Sequence, residues 1–148
     1  MSDHHADKSI NEEALTYHEK PTPGKLAIKV SKPAETQKDL SLAYTPGVAE
    51  PVRRIAETPE DAYRYTARGN LVAVITDGSA VLGRGHVGAL AGKPVMEGQA
   101  VLFKHCADSD VFEIEGNAQR PQELIETVRR SAPTVGGRYL ADSAAPHG

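Results

Sequence analysis

Residues 71–115 read LVAVITDGSAVLGRGHVGALAGKPVMEGQAVLFKHCADSDVFEIE, and the order of elements in this stretch decides the fold class. Leu71–Thr76 is a continuous apolar, β-branched run of strand length, the pattern of a strand covered on both faces. Asp77-Gly78 turns the chain, and Val81-Leu82 resumes an extended path. After a glycine-rich passage, Pro94–Ala107 reads as a helix with Val95, Val101, Leu102 and Cys106 as core-facing positions. Asp110–Glu115 is a second strand. Strand, helix and strand in succession predict an α/β domain of short strands flanked by helices.

Working outward, residues 1–10 are polar and read as a tail. A helix is expected over Asn11–Glu19, with Asn11 as N-cap and Pro21 closing it. Leu26–Val30 (LAIKV) alternates like a short strand, and residues 31–38 read as loop. Pro46-Gly47 breaks the chain, after which Val48, Pro51, Val52 and Ile55 recur at helical spacing. Thr58-Pro59-Glu60-Asp61 places a cap, a proline at N1 and two acids in the first turn of a helix reaching about Ala67. Toward the C-terminus, Pro121–Arg130 is amphipathic, with Leu124, Ile125 and Val128 as its apolar stripe. Residues 133–142 form a loop leading to one short strand, and 143–148 are a second tail. One domain, residues 11–142, lies between the tails.

Bulk properties narrow the function classes. In 148 residues, 39% are hydrophobic and 25% charged, which suits one globular core. The net charge of −3 offers no basic surplus for nucleic acid or an anionic membrane. No apolar run approaches the roughly 18 residues of a membrane span, and the N-terminus lacks the apolar core of a secretory signal. The single cysteine, Cys106, excludes an internal disulfide framework and fits a reducing cytoplasm. Its default reading is a small buried side chain.

Gly83-Arg84-Gly85-His86-Val87-Gly88 fits G-x-G-x-x-G after a strand. That motif binds pyrophosphate when its glycines make a tight strand-to-helix turn and an acid ends the next strand. Asp108 and Asp110 fall before or at the start of the next strand, and Ala91-Gly92-Lys93-Pro94 interrupts the following helix. A glycine-rich turn for close packing is therefore preferred, with a nucleotide or small-molecule sensor left as an alternative.

The stretches LAYTPGVAEP (42–51), residues 65–104, DVFEIE (110–115) and PTVGGRYLAD (133–142) resemble the bacterial malic enzymes in order and spacing. The resemblance runs from about residue 14 to residue 142. It implies the substrate-side N-terminal domain of an enzyme that oxidises malate with NAD or NADP and decarboxylates the product to pyruvate. The family's dinucleotide binds a separate Rossmann domain, which is absent from these residues. Three groups carry the implied chemistry. A general acid protonates the pyruvate enolate, and the matching residue is Tyr44. A lysine base removes the hydroxyl proton, and the matching position holds Gln99, whose amide cannot titrate in the working range. Lys104 lies five residues on, about 140° around a helix, and Lys93 belongs to the pattern in its own right. A Mg or Mn ion needs hard oxygen ligands, two of them adjacent acids, and the matching pair reads Ala141-Asp142. Arg84 stands where the family has an apolar residue, and His86 where it has Asn or Asp.

Base, metal ligand and NAD(P) domain are thus all compromised, and neither metal nor NAD(P) is expected to bind tightly. The leading expectation is a malic-enzyme-like domain, a pseudoenzyme as it stands. Its partners by resemblance are malate or pyruvate, and the alternative is an oligomerisation or regulatory module. Such a module would pair with itself as a homodimer or with a full-length malic enzyme. A gene remnant is the bland alternative.

Overall fold

A computed structural model describes residues 3–83, 86–118 and 120–143. Its center is a three-stranded parallel sheet of order β2-β1-β3, formed by β1 (Leu71–Thr76), β2 (Asp110–Glu115) and β3 (Gly137–Leu140). β1 pairs with β2 from Leu71 opposite Asp110 to Thr76 opposite Glu115. On its other side it pairs with β3 from Val72 opposite Gly137 to Ile75 opposite Leu140.

The central strand explains the apolar run. Ala73, Val74 and Ile75 are fully buried because helices cover both faces of β1. The long helix α5 (Ala89–Ala107) joins β1 to β2 and covers one face, where Met96 meets Val74 and Ala141. The helix α6 (Pro121–Arg130) joins β2 to β3 and covers the other, where Leu124 and Val135 meet Ala73 and Ile75. Burying side chains of this size contributes roughly 1.5–3 kcal/mol each. Four helices precede the sheet: α1 (Asp3–Glu19), α2 (Gln37–Ala43), α3 (Ala49–Glu57) and α4 (Ala62–Tyr65).

Several expectations need correction. Helix α5 begins at Ala89, not Pro94, so Gly92 and Pro94 lie within it. Pro94 is the sixth residue of the helix, and it has no N–H to offer the Leu90 carbonyl. Gly92 is buried, and a Cβ there would lie 3.5 Å from Val81. The inward line of α5 is Gly92, Met96 and Ala100, with Phe103 partly covered. Val101 and Leu102 sit about 100° and 200° around from Ala100 and are exposed. Cys106, in the last turn, is exposed as well.

Ile125 is likewise exposed, leaving Leu124 as the buried residue of α6. Residues 26–30 form no strand, and Ile28 is fully exposed. Helix α2 occupies part of the expected loop because Thr36 and Asp39 close a capping box. Val81–Gly83 is a short 3-10 turn rather than extended chain. Helix α1 starts at Asp3, inside the stretch read as a tail, and residues 3–19 contain neither Gly nor Pro to stop it. Arg84 and the final residues, 144–148, lie outside the described residues.

Candidate functional site

In an open parallel sheet the loops beyond the carboxyl ends of the strands form the natural ligand crevice. Here the loop after β1, the loop after β2 and the N-terminus of α5 enclose a cleft of about 390 Å³ lined by Asp77, Ser79, His86, Gly88, Ala89 and Asn117, with Ala118. Asp77 is buried, and its Oδ1 accepts from the Ser79 hydroxyl at 2.6 Å and the Ser79 N–H at 3.0 Å. Thr76 Oγ1, also buried, accepts from the Gly78 N–H at 3.0 Å. Sequence reading saw only a turn at Asp77-Gly78 and missed Asp77, Ser79 and Asn117 as wall residues. The available signal was their position just beyond the two strands.

The glycine-rich loop folds back on this turn. The Val87 N–H donates to the Gly78 carbonyl at 3.2 Å, and a Cβ on Gly78 would lie 2.4 Å from the Gly88 oxygen. Gly78 also has a φ of 69°, so close backbone approach and left-handed geometry both require glycine there. Helix α5 starts directly after Gly88, which removes the interrupted-helix argument against a nucleotide site. Residues 77–82 nevertheless separate β1 from Gly83, so the tight turn of a dinucleotide fingerprint is not formed. The acid ending β2 is Glu115, whose carboxylate lies 3.7 Å from Lys93.

Ala141 lies in the buried cluster around Met96, a residue one helical turn before Gln99. The Gln99 Oε1 is buried and has no hydrogen-bond partner. Ala141 is buried and donates its N–H to the Ile75 carbonyl at 2.9 Å. Asp142 has a φ of 49°, and its carbonyl accepts from the Ala80 N–H at 3.0 Å. These bonds place residues 141–142 at the carboxyl end of β3, beside the loop that follows β1.

Tyr44 belongs to neither buried cluster. It caps α2, with its N–H on the Leu40 carbonyl at 2.9 Å, and its side chain is 75% exposed. The turn after it is tight: the Gly47 N–H donates to the Ser41 carbonyl at 2.8 Å, and a Cβ on Gly47 would lie 2.6 Å from that oxygen.

The remaining lysines are engaged. Lys93 contacts the Glu113 carboxylate and lies 3.7 Å from Glu115 and 4.0 Å from Glu97. The Glu113 hydrogen bond, reinforced by the nearby carboxylates, raises its pKa, so Lys93 holds its proton. Burial raises the Glu115 pKa, with the Glu113 charge adding to it against the pull of Lys93. Lys104 pairs with Asp108 at 2.6 Å and Asp110 at 3.0 Å, and those hydrogen bonds raise its pKa too. Both lysines are thus held in the protonated form by carboxylate partners.

Asp142 stands beside an alanine, and among the described residues no three His, Cys, Asp or Glu side chains are grouped to hold a metal. Among the described residues no helix is long and apolar enough to cross a membrane.

Comparison with known proteins places this geometry. Residues 23–136 match the family described as malic enzyme, N-terminal domain. The NADP-dependent malic enzyme of Halomonas elongata is 58% identical over 133 residues, covering 90% of this chain and 32% of the relative. That of Escherichia coli is 55% identical over 140 residues, covering 95% of this chain and 18% of the relative. A malic enzyme crystal structure from Pyrococcus horikoshii superposes with a TM-score of 0.89 at 48% identity, covering 93% of this chain and 32% of that one. The chain therefore spans a third or less of the length of these relatives.

Proposed function

The chain belongs to the malic enzyme N-terminal domain family, and from that premise we propose that it forms the substrate-side half of a malate-oxidising, decarboxylating site and does not turn over malate by itself. The observation that carries this reading is Gln99, an untitratable amide whose buried oxygen has no partner, one helical turn from a residue packed on Ala141. The reaction requires the malate C2 hydroxyl to lose its proton while hydride leaves C2 for the nicotinamide. The resulting β-keto acid then loses CO2, and the pyruvate enolate takes a proton at C3. Tyr44 supplies the last proton through its phenol. An amide at residue 99 cannot take the first, and Lys93 and Lys104 are held protonated by carboxylates.

A divalent cation would stabilise the enolate charge. Asp142 would offer it one carboxylate, with Ala141 in place of a second. NAD(P) enters the reading through the longer relatives, whose names specify NADP or NAD dependence.

A second reading has its own support. Leu15, Tyr17, Ile28, Val30, Leu42 and Val52 are all exposed apolar side chains ahead of the sheet. Such surface favours pairing with a second copy or with a full-length malic enzyme. A reducing, cytoplasmic setting is part of the proposal, since it keeps the exposed Cys106 thiol unoxidised.

Calorimetric titration with NAD, NADP, malate and Mn²⁺ tests the half-site reading. No tight heat is expected from either dinucleotide or from Mn²⁺. Stoichiometric binding of NADP would overturn it and revive a nucleotide site at the glycine-rich loop.

A further inference from the structure

One lysine serves three carboxylates where α5 lies on β2. Strand alternation puts Glu113 and Glu115 on the same face of β2 as Val111, which packs under α5. From that helix Lys93 and Glu97, one turn apart, meet them: the ammonium contacts Glu113 and lies 3.7 Å from Glu115 and 4.0 Å from Glu97. When all four groups are ionised, three negative charges stand against one positive. The Glu113 side chain is only 8% exposed and that of Glu115 14%. Among the described residues, Glu113 Oε2 and Glu115 Oε1 are buried without a hydrogen-bond partner. A buried carboxylate oxygen without a donor is costly, and a proton is the smallest ligand that relieves it. Burial accordingly raises the Glu115 carboxyl above its ordinary range.

The same cluster holds the turn that follows α1. The Lys25 N–H donates to Glu97 Oε2 at 2.8 Å, and the Lys25 ammonium donates to the Pro94 carbonyl at 3.0 Å. Gly24, at a φ of 83°, lies so close that a Cβ there would stand 3.2 Å from the Glu97 carboxylate. Its own N–H donates to the His18 carbonyl at 2.9 Å, which ties the turn to the end of α1. Thus Glu97, the seat of Gly24-Lys25, shares its lysine with Glu113 and Glu115. The other surroundings of the acids are mostly neutral. β1 sets Val74 and Thr76 opposite them, and the cleft beside Glu115 adds residues 87–91 and Asn117. Asp77 and His86 line the neighbouring cleft, where Asp77 is bonded to Ser79. From the α1 side come Lys25 and His18, the histidine in a cleft of about 260 Å³ that Lys93 and Glu97 also line.

We propose that this cluster is a proton-sensitive seat for the turn after α1, in which uptake of a proton by Glu115 loosens the hold of Glu97 on Gly24-Lys25. Two effects act in the same direction. A neutral Glu115 releases Lys93 toward Glu97, where the ammonium competes with the Lys25 N–H for the carboxylate. One negative charge fewer also weakens the attraction for the Lys25 ammonium. By linkage, the seated turn favours the ionised cluster in return. The chain runs on from this turn to α2 and Tyr44, so the seat tethers the segment that carries the proposed acid; the seat itself does not depend on that role.

NMR on the full chain, from about pH 8 down to about pH 5, reads both sides of the coupling: side-chain carboxyl signals follow Glu115, and amide exchange follows Lys25. The Lys25 protection factor, corrected for the intrinsic exchange rate, is expected to fall roughly threefold as Glu115 takes its proton, the size of effect that a partly exposed ion pair supplies. In Glu115→Gln it should stay at the lower level throughout. Should that variant fail to fold, the two titrations of the parent decide alone. Titration of Glu115 in the ordinary carboxylate range, or Lys25 protection that does not follow it, would overturn the proposal. So would a pH dependence that survives in Glu115→Gln, which would assign it to His18.

Discussion

Replacing Gln99 with lysine puts the reading of residues 99 and 141 to a direct physical test. The position is half-buried, its amide oxygen is out of water without a partner, and Met96, one helical turn before it, packs on Ala141. An ammonium brought there loses hydration. Full burial of an unpaired ion costs several kcal/mol, but a lysine stem can carry its charge toward solvent, so about 2 kcal/mol is expected. For a domain of this size that is a fall in Tm of about 4–8 °C.

The sign with pH follows from the desolvated amine. Its folded-state pKa lies below its unfolded value, so the unfolded chain binds more protons between the two. Stability therefore rises as pH climbs from neutrality toward about 10. Adding Ala141→Glu supplies the missing charge, and thermal melts of the four members of the cycle should show a favourable coupling of about 1–3 kcal/mol. A Gln99→Lys protein as stable as its parent at pH 7, or coupling within about 0.5 kcal/mol of zero, would refute the juxtaposition.

Three other perturbations test the same framework. Gln99→Met removes an acceptor that has no donor, and chemical denaturation should show a gain of about 1 kcal/mol; a loss would mean that the amide has a partner in solution. Lys93→Met leaves Glu97, Glu113 and Glu115 facing one another, and should cost about 2 kcal/mol at neutral pH, discounted because the lysine is 42% exposed. Because the Glu115 carboxyl is already raised, the folded variant binds protons more readily than the unfolded chain. Its Tm should recover as pH falls into the range just above the usual carboxylate values, and a flat pH profile would count against the cluster. Gly78→Ala forces a Cβ to within 2.4 Å of the Gly88 oxygen at a φ of 69°, so a loss of about 2–4 kcal/mol is expected in urea melts, and a neutral result would mean the loop is not folded back.

Much of the sheet was legible in the sequence because its signals are local. LVAVIT reads as a strand buried on both faces and DVFEIE as its neighbour, and both strands have the expected bounds. Pro121 at N1 marked the start of α6. Gly92 and Pro94 misled, because both look like breakers until the chain brings Val81 against Gly92 and spends the proline's missing donor in the opening turns of α5. Once the helix start moved, the inward line passed through Met96 and Ala100 instead of Val101 and Leu102.

LAIKV alternates like a strand, but alternation records which faces differ, not whether a pairing partner exists. The Lys93 cluster was invisible for a similar reason. Glu113 and Glu115 share a face of β2 by period 2, but only the register of α5 aims Lys93 and Glu97 at them. Tyr44, Gln99 and Asp142 were named by resemblance. Packing adds that Met96, one turn before Gln99 on α5, meets Ala141 in one buried cluster, while Tyr44 stands in solvent ahead of the sheet.

The central claim, a family domain without turnover of its own, is tested most directly by assaying malate oxidation with NAD and NADP in the presence of Mn²⁺. The account predicts a rate for the purified chain indistinguishable from that of its Tyr44→Phe variant. Turnover clearly above that variant would contradict it, because Tyr44 would then be serving a complete site.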